Sequence, residues 1–136
     1  MRECAPRLKL CETTLTTWPH RARWLPNSAS LMRGDIYRLK ASRNARGREQ
    51  AGARYAVVVQ SDDLPLSTWL IAPTSTGRRS ATFRPEIELA GQSTRVLVEQ
   101  LTVVDPQVRL GEFIGRLTAA EAEAVDRALL AVLALD

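Results

Sequence analysis

Residues Arg46–Gln60, RGREQAGARYAVVVQ, decide how the chain is read. Arg46 to Arg54 is largely polar and arginine-rich, broken by Gly47 and Gly52, and runs straight into the apolar Tyr55-Ala56-Val57-Val58-Val59. A continuous apolar run of about five residues, rich in β-branched side chains and bounded by turn signals, reads as a strand buried on both faces. Arg46, Arg48, Glu49, Gln50 and Arg54 therefore sit on a loop that a core strand holds in place, where binding and catalytic groups commonly lie. Clustered guanidiniums beside a carboxylate suit a phosphate-bearing ligand. The competing reading is a solvated basic loop.

Outward from that stretch the pattern is one of short strands. Asp35–Lys40 alternates well enough for a first strand, and Tyr55–Gln60 is the second. Ser61-Asp62-Asp63 and Pro65 mark a turn, and Trp69–Ala72 is a third strand that Pro73 is expected to end. Thr74-Ser75-Thr76-Gly77-Arg78-Arg79 then reads as a hairpin turn whose hydroxyls and arginines suit phosphate and sugar. Glu86–Leu89 alternates like a half-exposed strand, Ala90–Ser93 turns the chain, and Arg95–Val98 forms a strand that continues towards Asp105-Pro106. Glu112–Leu117 is the last strand. Thr118-Ala119-Ala120-Glu121 has the spacing of a capping box, and Val125, Leu129, Val132 and Leu133 recur at helical spacing. These predict a helix over Ala119–Leu135 with one face on the sheet. Short strands with polar turns, closed by one helix, imply a mainly β, α+β fold: a small, strongly bent sheet or open barrel. A βαβ architecture is excluded because no helical pattern separates the strands.

At 136 residues the chain is long enough for one domain with a core. Residues 1–31 read as an extension before a domain at 32–136. They lack periodicity, contain Pro6, Pro19 and Pro26, and end just before Met32, a candidate translation start. The alternative is an ordered cap made by Trp18, Trp24 and Leu25. Arg33-Gly34-Asp35 is also the adhesion tripeptide, a meaning with little support where no secretion signal is visible. No apolar stretch approaches the roughly 20 residues that span a bilayer, so the expected setting is the cytosol, without a membrane partner. Cys4 and Cys11 have no Cys or His at zinc spacing, and no metal or other cofactor is expected.

Charge is unevenly spread. Residues 32–84 hold ten basic and four acidic groups, a net of +6, whereas residues 85–136 hold four and nine, a net of −5. Such asymmetry points to a polyanionic partner, although the two halves pairing with one another would also account for it. The one histidine, His20, lies outside the expected domain, so no Ser-His-Asp or Cys-His set can form within it. Arginine, glutamate, threonine and serine remain, a set suited to binding phosphate and moving a proton.

Five blocks in order carry a resemblance: Arg33–Tyr37, Arg48–Arg54, Tyr55–Gln60, Leu70–Ser75 and Val96–Leu101, followed by the C-terminal helix. Over about residues 32–135 the chain resembles the MazF/PemK toxin endoribonucleases of type II toxin–antitoxin systems. It departs from the family pattern at Tyr55, where proline usually follows the arginine, and in its long leading segment. The resemblance implies an SH3-like open barrel, a homodimer, and metal-independent cleavage of single-stranded RNA at a short specific sequence. The target would be mRNA, with tRNA or rRNA as further candidates. It also implies a cognate antitoxin with an acidic disordered tail. Arg54 matches the family's catalytic arginine, Thr74 its catalytic threonine, and Glu49 a carboxylate needed for activity. Because a guanidinium does not readily give up its proton, chemistry favours Glu49 as base, with Arg54 and Thr74 as donors to the phosphate. The plainer role for Glu49 is a salt bridge to Arg48 or Arg54. Arg46, Arg48, Arg78 and Arg79 are expected to grip phosphates, and Gln50, Ser75 and Gln100 to read base edges, with Glu99 near the RNA. A toxin of the same barrel that binds gyrase, or an RNA-binding module with a decayed active site, are the competing functions.

Overall fold

The computed structural model describes residues 31–44, 46–47, 54–64 and 66–135. Arg48, Glu49, Gln50 and the segment up to Ser30 lie outside the described residues. The strands are β1 (Asp35–Leu39), β2 (Arg54–Val58), β3 (Trp69–Ser75), β4 (Glu86–Leu89), β5 (Gln92–Val96), β6 (Thr102–Val104) and β7 (Leu110–Arg116). They run in the order β4-β5-β3-β2-β1-β7, with β6 also on β3, and every pairing is antiparallel. A short helix, α1 (Pro106–Arg109), joins β6 to β7, and α2 (Ala119–Leu133) ends the fold. This is the mainly β, helix-closed architecture that the short strand pattern implies.

The apolar run of β2 has a direct structural cause. Successive side chains of a strand point to opposite faces. Ala56 and Val58 enter one apolar cluster with Tyr37, Leu39, Ile71, Val104 and Leu110, drawn from β1, β3, β6 and β7. Val57 and Val59 enter a second, with Ile36, Ala72, Ile87, Leu89, Val96 and Val125. The first lies on one face of the sheet. The second lies on its other face, under the β4–β5 hairpin and α2. A strand sandwiched in this way has no solvent face to mark with a polar residue.

Several local expectations change. Leu31, the last residue of the expected extension, is buried in the first cluster and belongs to the fold. Pro73 does not end β3, which runs on to Ser75, so Thr74 and Ser75 are strand rather than turn residues. β3 pairs with β6 over residues 69–71 and with β5 over 74–75; Pro73 stands in the gap between these partners, and its carbonyl accepts from Leu97 N at 2.8 Å. A proline there need not supply a ladder bond to that edge. The β4–β5 turn is only Ala90-Gly91, both at positive φ, so Gln92 and Ser93 are already strand. The expected continuous strand beyond Arg95 is broken by a 3₁₀ turn at Val98–Gln100, and α1, a single helical turn, stands between β6 and β7, where the sequence pattern predicts no helix.

The capping box forms as its spacing predicts: Thr118 Oγ1 accepts from Glu121 N at 3.2 Å, and Glu121 Oε2 accepts from Thr118 N at 2.9 Å. Glu121 Oε1 also accepts from Glu88 N, tying the cap to β4. Val125 is buried and Leu129 half-buried against the second apolar cluster, but Val132 and Leu133 are exposed. The Arg33-Gly34-Asp35 tripeptide is structural. Gly34 is buried at φ +89°, and Asp35 is buried and accepts from Met32 N and Arg116 Nε, so neither is displayed as an adhesion loop would be.

Candidate nucleic-acid interface

Arg54 and Thr74 are neighbours because of strand register. Ala56 pairs with Pro73, so moving one step outward along both antiparallel strands brings Tyr55 beside Thr74. The Thr74 hydroxyl closes that step, donating to the Tyr55 carbonyl at 3.1 Å. Arg54, the first residue of β2, pairs with Leu39 on its other side and is half-buried. Tyr55, which stands where the family pattern has proline, packs half-buried against the second apolar cluster.

Thr74 is almost wholly buried, and its single hydroxyl proton is committed to Tyr55. A hydroxyl has one proton to give and two lone pairs to receive with. In this arrangement Thr74 presents acceptor capacity, and donating to a phosphate requires a rotation that gives up the Tyr55 bond. Ser75, also buried, accepts from Gly77 N at 3.3 Å and so shapes the start of the β3–β4 loop more than it faces outward.

Glu99 and the Arg78-Arg79 pair come together through two arginines that carry no motif in the sequence. Arg84 Nε donates to Glu99 Oε1 at 2.6 Å and Arg84 Nη1 to the Arg79 carbonyl at 3.1 Å. Arg95 Nη2 donates to Glu86 Oε1 at 2.6 Å and Arg95 Nη1 to the Arg78 carbonyl at 2.8 Å. Glu99 Oε2 and Arg95 Nε are buried with no hydrogen-bond partner among the described residues. A two-residue Ala90-Gly91 turn fixes Leu89 against Gln92, and counting back puts Glu86 against Arg95. Gln100 is half-buried at the end of the 3₁₀ turn, and Arg46 is exposed on the β1–β2 loop beside Gly47, which stands at φ +62°. Glu49, Arg48 and Gln50 lie outside the described residues, so their geometry towards Arg54 is not part of this site. Among the described residues no cluster of three or more His, Cys, Asp or Glu side chains is placed to hold a metal ion, and no helix is long and apolar enough to cross a membrane.

Residues 32–133 match the family of PemK-like, MazF-like toxins of type II toxin–antitoxin systems. The chain belongs to that family. It is 36% identical over 105 residues to the Mycobacterium tuberculosis protein named "Putative toxin Rv3098A/RVBD_3098A", an alignment covering 77% of this chain and 99% of that one. The fold of this PemK/MazF-like toxin is similar to crystalline MazF of Deinococcus radiodurans, with a TM-score of 0.68 at 20% identity, covering 77% of this chain and 97% of the other. It is also similar to an endoribonuclease from a mycobacterial species solved in complex with its cognate antitoxin, with a TM-score of 0.65 at 18% identity, covering 78% and 97%.

Proposed function

We propose that this toxin is an endoribonuclease that cleaves single-stranded RNA at a short specific sequence, without metal, and so inhibits translation and growth. The observation that carries this reading is that Thr74 is bonded to the backbone of Tyr55, the residue after Arg54, at the adjoining ends of β2 and β3, with β3 leading into the turn that bears Arg78 and Arg79.

RNA brings its own nucleophile. The 2′-hydroxyl attacks the adjacent phosphorus, the bond to the 5′-oxygen breaks, and a 2′,3′-cyclic phosphate and a 5′-hydroxyl result. The protein has to accept the proton of the 2′-hydroxyl, supply one to the leaving oxygen, and stabilise charge on the phosphorane. Arg54 is suited to the last task, because a fixed guanidinium donor aimed at developing charge is usually the largest single contribution. Thr74 receives or gives a hydrogen bond beside it. Glu49 is assigned as the base, for which a rate contribution of about 10²–10⁴-fold is typical. Arg46, Arg48, Arg78 and Arg79 hold phosphates, and Gln50, Ser75 and Gln100 read base edges.

The mycobacterial endoribonuclease solved with its cognate antitoxin supports a protein inhibitor for this chain as well. In this reading the toxin is a homodimer in the cytoplasm. The exposed Leu130, Leu133 and Leu135 at the end of α2 give a second copy an apolar surface to cover. The test is incubation with a mixed RNA pool in EDTA, followed by mapping of the ends. Discrete cuts bearing cyclic phosphate, abolished in a folded Arg54→Ala protein, are expected. Intact RNA, or equal cleavage by Arg54→Ala, overturns the reading.

A further inference from the structure

The backbone of the Arg78-Arg79 turn is held at two consecutive carbonyls by guanidiniums from elsewhere in the chain. Arg95, on β5, bonds the Arg78 carbonyl, and Arg84, just before β4, bonds the Arg79 carbonyl. Each guanidinium is itself fixed at its other edge by a carboxylate: Arg95 by Glu86 across the hairpin, and Arg84 by Glu99 of the 3₁₀ turn that follows β5. A guanidinium is a rigid planar fork, so two bonds in its plane orient it and it orients what it bonds. Two successive carbonyls held from outside fix the peptide planes on either side of residue 79, and with them the direction in which its Cα–Cβ bond leaves the backbone.

We propose that Arg84 and Arg95, braced by Glu99 and Glu86, are positioning residues that pre-order the Arg78-Arg79 turn for contact with the phosphates of RNA. The proposal rests on the endoribonuclease reading above and deepens it. The two heads are mostly buried: the Arg84 and Arg95 side chains are 19% and 24% exposed, and two nitrogens of each are committed within the protein. They are therefore poor phosphate ligands themselves. Glu99 likewise has one oxygen on Arg84 and the other buried, which suits a brace better than a base-edge reader. Pre-ordering matters because an exposed turn would otherwise lose its freedom only when RNA arrives, at the expense of affinity.

The test compares full-length wild type, Arg84→Lys, Arg84→Ala, Glu99→Gln and Glu99→Ala. Binding is read on mixed-sequence single-stranded RNA carrying 2′-O-methyl groups, which cannot be cleaved, and kcat and KM on the unmodified pool. Hydrogen exchange of amides 76–84 is followed without RNA. Arg84→Lys keeps the charge and loses the fork, so exchange should quicken and affinity fall by roughly tenfold, mostly in KM with kcat nearly kept. Removing Arg78 and Arg79 together should then cost much less in the Arg84→Ala background than in wild type, because residues acting through one element are not additive. Glu99→Gln keeps an acceptor for Arg84 and should retain more affinity than Glu99→Ala. Additive losses show that Arg84 touches phosphate directly and overturn the proposal. Unchanged exchange in Arg84→Ala, with RNA still bound by wild type, overturns the positioning role alone. Wild-type protein that binds and cleaves no RNA overturns the functional reading and the purpose of the brace with it, even if exchange quickens.

Discussion

Thr74 Oγ1 lies 3.1 Å from the carbonyl oxygen of Tyr55 and donates to it, so the proposed catalytic threonine is locked to the residue that follows the proposed catalytic arginine. The bond ties Thr74 to the backbone next to Arg54, so the spacing of the two residues is a property of the β2–β3 ladder rather than of a loop. It also gives Thr74 two separable duties, one structural and one chemical.

Those duties separate in two substitutions. Thr74→Val keeps shape and loses the hydroxyl, leaving the Tyr55 carbonyl without its bond. Stability should fall by about 1–2 kcal/mol, the usual cost of such a loss in a buried place. Cleavage should fall by at least roughly 10²-fold, as when an oxyanion donor is deleted. Thr74→Ser restores the hydroxyl and should recover most of the activity. Urea melts and single-turnover rates on the same samples measure both. A Val variant with unimpaired cleavage removes Thr74 from the chemistry.

The strand run at Tyr55–Val59 and the capping box at Thr118 are legible because each rests on short-range rules: alternation across a sheet with two buried faces, and a cap spaced at three residues. Pro73 misleads because its missing N–H counts against a strand only where a partner needs it, and the exchange of β6 for β5 along β3 is a long-range fact. The break at Val98–Gln100 is hidden for the same reason. Val96, Leu97 and Val98 are all fully buried, and a wholly apolar run carries no period to mark where the strand gives way to a turn. At the site, Arg54 is visible as a loop-edge residue, and Thr74 through the family resemblance, although Pro73 places it in a turn. Arg84 and Arg95 are not, because their role is to hold backbone carbonyls, which leaves no motif.

The β4–β5 turn offers a simple gain in stability. Ala90 adopts φ +51°, in the left-handed region that costs a residue with a Cβ roughly 1–2 kcal/mol, ahead of Gly91 at φ +75°. Two-residue hairpin turns of this kind favour Asn-Gly. Ala90→Asn should therefore raise stability by about 0.5–1 kcal/mol. A lower urea midpoint would contradict the turn geometry.

Tyr37 sets an alkaline limit. Burial in the first apolar cluster, helped by the Asp35 carboxylate and opposed by Arg116, raises its pKa from 10.0 to about 12. The folded protein holds the phenolic proton more tightly than the unfolded chain does. The contribution is therefore complete below pH 10, falls as pH rises from 10 towards 12, and is lost above that. The unfolded chain ionises first across this window, so stability declines with pH, by on the order of 2 kcal/mol in all. Tyr37→Phe cannot ionise, and the difference between the two stability curves should show that slope between pH 10 and 12 and none below. Parallel curves throughout would mean that the phenol reaches water.

Inhibition should run through the same arginines as RNA. The positive half of the chain, residues 32–84, carries a net charge of +6, and Arg79 is exposed on a turn whose backbone is braced. A protein evolved to block this surface does best by imitating RNA: an acidic disordered segment, studded with apolar residues, that folds on binding. We therefore predict that the tail of the cognate antitoxin lies over the β1–β2 loop and the Arg78-Arg79 turn, and that RNA and tail compete. Both affinities should fall as salt rises, since each interaction releases counterions or is screened. Replacing Arg78 and Arg79 by Ala should weaken both ligands and reduce the salt slope for RNA by up to about 2, roughly one for each phosphate that is no longer neutralised. Fluorescence anisotropy with labelled RNA and a labelled tail peptide, from low to moderate salt, measures all of this. Tail binding that survives the double substitution unchanged, or RNA binding indifferent to salt, would show that inhibitor and substrate do not share this surface.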